Sequence, residues 1–158
     1  MSTELNQAAL QRHFGGVCGL PVFLAHRQGE CGIEGLSFDE TEKLSAMSSE
    51  KRRMEYILGR HALKEVLARI GRDPDTSSVA WPSTFCSLSH SEGHAVAVSS
   101  SGVAGIGIDL QLKKIPPFAM AERILSGQTL EYWQELPDPD KSKALQRFWT
   151  ANEAVYKA

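Results

Sequence analysis

FCSLSHSEGHAVAVSSSGVAGIGIDLQL, residues 85–112, is where the chain changes its period. FCSLSH (85–90) alternates apolar and polar residues, as a half-buried strand does. SEG (91–93) supplies turn residues and HAVAVSS (94–100) alternates again, which predicts a hairpin. GVAGIGIDLQL (102–112), rich in glycine and β-branched residues, predicts a third strand. SSSG (99–102), between the second and third of these, is the best candidate for a hinge.

Upstream of this stretch the period is helical. Met54, Ile57, Leu58, Leu63, Val66, Leu67 and Ile70 predict a helix over residues 49–70, ended by Gly71 and Pro74. SFDE (37–40) fits a capping box and should open a helix reaching about Met47. VFLAH (22–26), after Pro21, predicts a strand. The start, MSTELNQAALQRHF, reads either as a short helix, with Leu10 and Phe14 four apart, or as a frayed terminus. Downstream, PPFAMAERIL predicts a helix starting near Pro117. PDPDK (137–141) precedes a last helix that carries RFWTANEAVYKA (147–158).

The totals set outer bounds. A chain of 158 residues with 42% hydrophobic content fits one domain, or two small intimate ones, with a real core. A formal net charge of −2 gives no general attraction to nucleic acid or to an anionic membrane, so any anion site must be local. Three cysteines, Cys18, Cys31 and Cys86, without CxxC spacing read as reduced and buried in a cytoplasmic protein. No apolar run approaches the roughly 18 residues of a membrane helix. The N-terminus is too polar for a secretory signal. No short repeat and no low-complexity tract is present.

Four stretches carry candidate chemistry, and each also has a plain structural reading. SLSHS lacks the GxSxG elbow of a hydrolase. Ser89 and His90 are adjacent, so in a strand they face opposite ways and cannot form a nucleophile–base pair. His90 at a strand end can contact a phosphate, or serve as a structural histidine. Asp109 follows an apolar strand and precedes a loop, which suits a hard cation, with Gln111 on the same face as a neutral oxygen donor. It also fits a turn aspartate. Glu153 and Lys157 lie one helical turn apart. They could complete a magnesium site and neutralise a phosphate, or form a surface pair worth about 0.2–0.5 kcal/mol. EKRRMEYILGRHALKE places Arg53, Arg60 and Lys64 on one helical stripe, beside Arg52. Such a stripe can grip a terminal phosphate through arginine forks, or be a solvated face.

The order of these motifs resembles the 4′-phosphopantetheinyl transferases: a basic helix with GR, SxSH on a strand, GIDxQ, then WTxxEAxxK. It is most similar to their larger, monomeric type, which activates peptide and siderophore synthetases. The resemblance runs from about Ser48 to Ala158. It implies an α+β fold of two similar halves related by a pseudo-two-fold, with coenzyme A in the cleft between them. The halves would be residues 1–101 and 102–158, joined at SSSG. The implied activity moves 4′-phosphopantetheine from coenzyme A to a serine of an acyl or peptidyl carrier protein and releases 3′,5′-ADP. It implies magnesium, with manganese as the alternative, held by Asp109 and Glu153 with Gln111 contributing. It implies His90 and Lys157 at the coenzyme phosphates, Ser89 and Ser87 lining the same strand, and Arg53 and Arg60 at the 3′-phosphate. Glu153, directly or through water, would be the base.

Three features depart from the family pattern. Gln111 is often acidic, Asn152 is usually lysine, and family members usually continue for several strands beyond the EAxxK helix. The resemblance therefore implies an incomplete second half, an exposed edge, and self-association as one way to cover it. The competing expectation is a degenerate homologue that binds coenzyme A or a carrier protein without turnover. A serine hydrolase built on SLSHS and a nucleic-acid role stand well behind both.

Overall fold

The computed structural model describes residues 19–158, together with Arg12. The readings of residues 1–11, 13–18 and hence of Cys18 fall outside the described residues. Three strands, β1 (Val22–Gln28), β2 (Cys86–Ser91) and β3 (His94–Ser100), form an antiparallel sheet in the order β1-β3-β2. The register pairs Leu24 with Val98 and Ser89 with Val96. Glu92 (φ 50°) and Gly93 (φ 75°) join β2 to β3. Positive φ at both central residues is the hairpin turn whose twist matches the strands, and glycine takes it without strain.

Helix α1 (Phe38–Ser45) starts with the expected capping box: Ser37 Oγ accepts from Glu40 N at 3.3 Å, and Glu40 Oε2 accepts from Ser37 N at 2.7 Å. Helix α2 (Glu50–Arg69) covers one face of the sheet. Its Leu58, Ala62, Leu63, Val66 and Leu67 pack with Ala25, Cys86, Ala95 and Ala97 as one buried cluster. Alanines on that face let the helix come close enough for Ser99 Oγ to donate to Val66 O at 2.8 Å. Glu40 is fully buried against α2, where Lys64 Nζ lies 2.8 Å away and Thr76 donates through both its N–H and its hydroxyl. Lys64 therefore ties α2 to α1 and leaves the basic stripe that its spacing suggested.

Residues 102–112 are not a strand, which corrects the sequence reading. The segment runs along β2 in the parallel sense, but its ladder is made of side chains. Ile108, Leu110 and Leu112 donate their N–H groups to the hydroxyls of Ser87, Ser89 and Ser91, at 3.1, 3.2 and 3.4 Å. Alternation survives because the serines project every second residue from the sheet face opposite α2. Ser99 and Ser100 are buried members of β3, so the chain leaves the sheet only after them.

The remaining elements are α3 (Ala121–Ile124), preceded by a 3₁₀ turn (Phe118–Met120), α4 (Gly127–Glu135) and α5 (Asp138–Tyr156). Ala121, Leu125, Trp133 and Leu145 form their shared core. The helix expected near Pro117 is thus split, and α4 has no counterpart in the sequence reading. The last helix begins within PDPDK: Pro137 is its N-cap, and Asp138 and Asp140 lie in its first turn. Pro139, which lacks an N–H, and the two carboxylates near the helix dipole's positive end all suit that first turn. Cys31 is half-buried and Cys86 buried, and both are free thiols. Among the described residues no helix is long and apolar enough to cross a membrane.

Candidate active site

Two glycines let α5 approach the 102–112 segment. A methyl group at Gly107 would collide with Ala154 O, and one at Gly105 would stand 2.5 Å from Ala158 O. This close approach brings Lys157, the C-cap of α5, to Asp109. The Asp109 side chain is only 3% exposed, and Lys157 Nζ lies 2.5 Å from its Oδ1. Ser89 Oγ donates to the same Oδ1 at 2.9 Å, while accepting from Leu110 N at 3.2 Å and from Lys157 Nζ at 3.2 Å. Gln111 Nε2 donates to Oδ2 at 3.0 Å. Burial pushes the Asp109 carboxyl up. The Lys157, Gln111 and Ser89 hydrogen bonds and the lysine charge outweigh it, so the group is held below its ordinary value.

Glu153 lies one turn before Lys157 and accepts from Trp149 Nε1 at 3.3 Å. The structure joins Asp109, Lys157, Ser89 and Gln111 directly, and leaves Glu153 on the indole. Among the described residues no three His, Cys, Asp or Glu side chains converge on one point. The donor set nonetheless fits a hard cation that magnesium chemistry would recognise. Asp109 is a buried carboxylate that already carries a cation, the Lys157 ammonium. Gln111 adds an amide group beside it, and magnesium commonly takes one or two carboxylates and draws its other ligands from phosphates and water. A groove of about 580 Å³ opens beside Asp109, lined by Ile108, Gln146, Arg147 and Thr150 among others.

His90 points the other way from Ser89, as adjacent strand residues must. It lines a cavity of about 300 Å³ with Arg52, Glu55, Tyr56, Arg60 and Met47. His90 Nδ1 stands 3.6 Å from Glu55 Oε2. Arg60 Nη1 donates to Thr76 Oγ1 at 3.1 Å, and its guanidinium lies over the Tyr56 ring at 4.7 Å. Arg60 Nε and Tyr56 OH are buried without a partner. Buried donors left open beside two arginines and a histidine suit an anion that supplies the missing acceptors. Burial also pushes the Tyr56 hydroxyl's pKa up. Arg53 lies outside this lining and pairs with Glu50 at 4.0 Å. Arg52 was read from sequence only as a neighbour of the basic stripe and Tyr56 was not singled out, although Arg52, Tyr56 and Arg60 recur every four residues, which was the available signal.

Asn152, the position where the family pattern has lysine, is exposed, and its Nδ2 donates to Ile124 O at 2.7 Å. It ties α5 to the end of α3.

Residues 40–100 match the 4'-phosphopantetheinyl transferase N-terminal domain, and residues 105–158 match the 4'-phosphopantetheinyl transferase superfamily. The chain belongs to the 4′-phosphopantetheinyl transferase superfamily. It is 32% identical over 128 residues to the 4'-phosphopantetheinyl transferase Npt of Nocardia iowensis, covering 74% of this chain and 56% of that protein. The chain thus spans little more than half the length of this curated relative.

Proposed function

We propose that this chain transfers 4′-phosphopantetheine from coenzyme A to a carrier-protein serine and releases 3′,5′-ADP. The observation that carries the reading is the Asp109–Lys157–Ser89 cluster, placed one residue along β2 from the His90 and Arg60 cavity. A donor that wraps the end of β2 can present its diphosphate to one and its 3′-phosphate to the other. Residues 1–101 supply His90, Arg60 and Arg52, and residues 102–158 supply Asp109, Glu153 and Lys157, so each half gives one wall. Free thiols at Cys31 and Cys86 suit a cytoplasmic enzyme.

In the reaction the serine oxygen attacks the phosphorus that bears pantetheine. The bond from that phosphorus to the bridging oxygen breaks, and its electrons leave with 3′,5′-ADP. The serine proton passes to Glu153, directly or through one water. Lys157 offsets the charge that gathers on the departing phosphate, and His90 contacts the coenzyme's phosphates from the opposite face of β2. Arg60 and Arg52 hold the 3′-phosphate, with Arg53 at the rim. Magnesium held by Asp109 and Glu153 beside Gln111 would neutralise the diphosphate as it splits.

One observation favours a second reading, binding without turnover. Asn152 is committed to Ile124 O, so a basic group that the family pattern places there is missing. The test is the intact mass of an apo carrier protein after incubation with this chain, coenzyme A and magnesium. A gain of one phosphopantetheine is expected. No gain, with coenzyme A still bound, would overturn the transferase reading in favour of the binder.

A further inference from the structure

We infer that Lys157 is a latch on the cation seat: its ammonium and a divalent cation exclude one another at Asp109 Oδ1, so the cation enters only as the donor's diphosphate draws the lysine away. This rests on the reading above, in which Asp109 is a cation ligand.

The geometry is specific. A carboxylate oxygen has two lone-pair sites. Both sites of Oδ1 are in use, one by Ser89 Oγ at 2.9 Å and one by Lys157 Nζ at 2.5 Å. Oδ2 already accepts from Gln111 Nε2 at 3.0 Å. The side chain is 3% exposed and Oδ1 has no free lone pair, so a cation reaches that oxygen only in place of the ammonium. Two cations on one oxygen would also repel strongly in so dry a setting. Ser89 cannot give way easily, because the same hydroxyl satisfies Leu110 N. Lys157 can: its side chain is 31% exposed, it ends α5, and a lysine stem is long and freely rotating. Once released, the ammonium needs another anion within reach, and a diphosphate bound next to Asp109 provides one. Gln111 contributes no charge, so in the free protein the lysine neutralises the one charge that Asp109 offers a metal.

The consequence is that divalent-cation affinity without donor is set by Lys157. Direct Mn²⁺ titration by electron paramagnetic resonance reads this without any turnover. Lys157→Gln is expected to tighten Mn²⁺ binding in the absence of coenzyme A by about tenfold or more, the scale on which one adjacent charge shifts proton affinity at a carboxylate. Lys157→Arg, which keeps the cation, is expected to bind as weakly as the parent. Adding Asp109→Asn to Lys157→Gln should abolish the gain. Equal or weaker Mn²⁺ binding by Lys157→Gln, with binding still lost on Asp109→Asn, would sink the latch while leaving Asp109 as the seat. Mn²⁺ binding by none of these proteins, or binding indifferent to Asp109→Asn, would sink the seat and the latch together. Circular dichroism of each variant confirms that the folded chain is what is titrated.

Discussion

One hydroxyl group fixes the aim of Asp109. Ser89 Oγ donates to the carboxylate, receives Leu110 N and receives Lys157. Ser89→Ala should take the partner from Leu110 N–H in a half-buried place. We expect a loss of about 0.5–1.5 kcal/mol in urea unfolding, the usual net worth of one hydrogen bond. The Asp109–Lys157 bridge also gives stability a pH signature. The folded carboxyl is held below its ordinary value, so its contribution is complete above that value and disappears as pH falls through the depressed one. The stability gap between the parent and Lys157→Gln, measured by denaturation at a series of pH values, should therefore be full near neutrality and close in acid. A gap that stays constant into strong acid would refute the bridge. At Asn152, lysine forfeits the bond to Ile124 O. Asn152→Lys should lose about 0.5–1.5 kcal/mol of stability. If the missing basic group limits transfer, carrier modification by this variant should rise by about tenfold; no change would mean that the position is not used.

Among the elements, local chemistry was the most legible part of the sequence. The capping box at Ser37 and Glu40, the Ser49 start of α2 and the Glu92–Gly93 turn all follow from a few neighbouring residues, and all stand as read. Residues 102–112 misled because alternation reports an extended chain but not its partner. The ladder there runs through serine hydroxyls of β2, which no pattern internal to GIGIDLQ could reveal. Helix α4 escaped because Ser126 makes no capping bond and its first residue is a glycine. Gly107 was legible as a β-rich glycine, but not as the point where α5 presses in. Gly107→Ala should push the end of α5 outward and lower the melting temperature, by an amount matching the roughly 1–3 kcal/mol of an overpacked contact. It should also loosen Lys157 from Asp109.

At the scale of the whole molecule, two candidate sites lie on opposite faces of one strand, β2. Asp109, Lys157 and His90 could be singled out as candidates early because few residue types suit phosphate or a cation bound to it. Arg52 could not be told from Arg53, since neighbours on a helix differ by about 100° and only packing decides which one turns inward. In the fold Arg52 lines the cavity with Arg60, while Arg53 bonds Glu50. Arg60→Gln and Arg52→Gln should each weaken coenzyme A binding about tenfold or more, from charged hydrogen bonds of roughly 1.5–3 kcal/mol. Arg53→Gln should cost much less. Calorimetry with a coenzyme A lacking its 3′-phosphate should erase the difference between parent and variants. If the penalties persist, the cavity does not hold that phosphate.

The serine ladder has one more consequence, in the currency of local opening. Amides in β3 are locked between two strands, so they exchange with solvent only when the sheet itself comes apart. Those of Ile108, Leu110 and Leu112 hang on rotatable hydroxyls along an outer strand. They should exchange through a cheaper excursion in which the segment lifts off while the hairpin stays closed. Deuterium uptake should accordingly be faster at these three positions than at residues 95–98. Asp109 rides on this segment, so the acid at the centre of the site is carried by backbone that should open before the hairpin does.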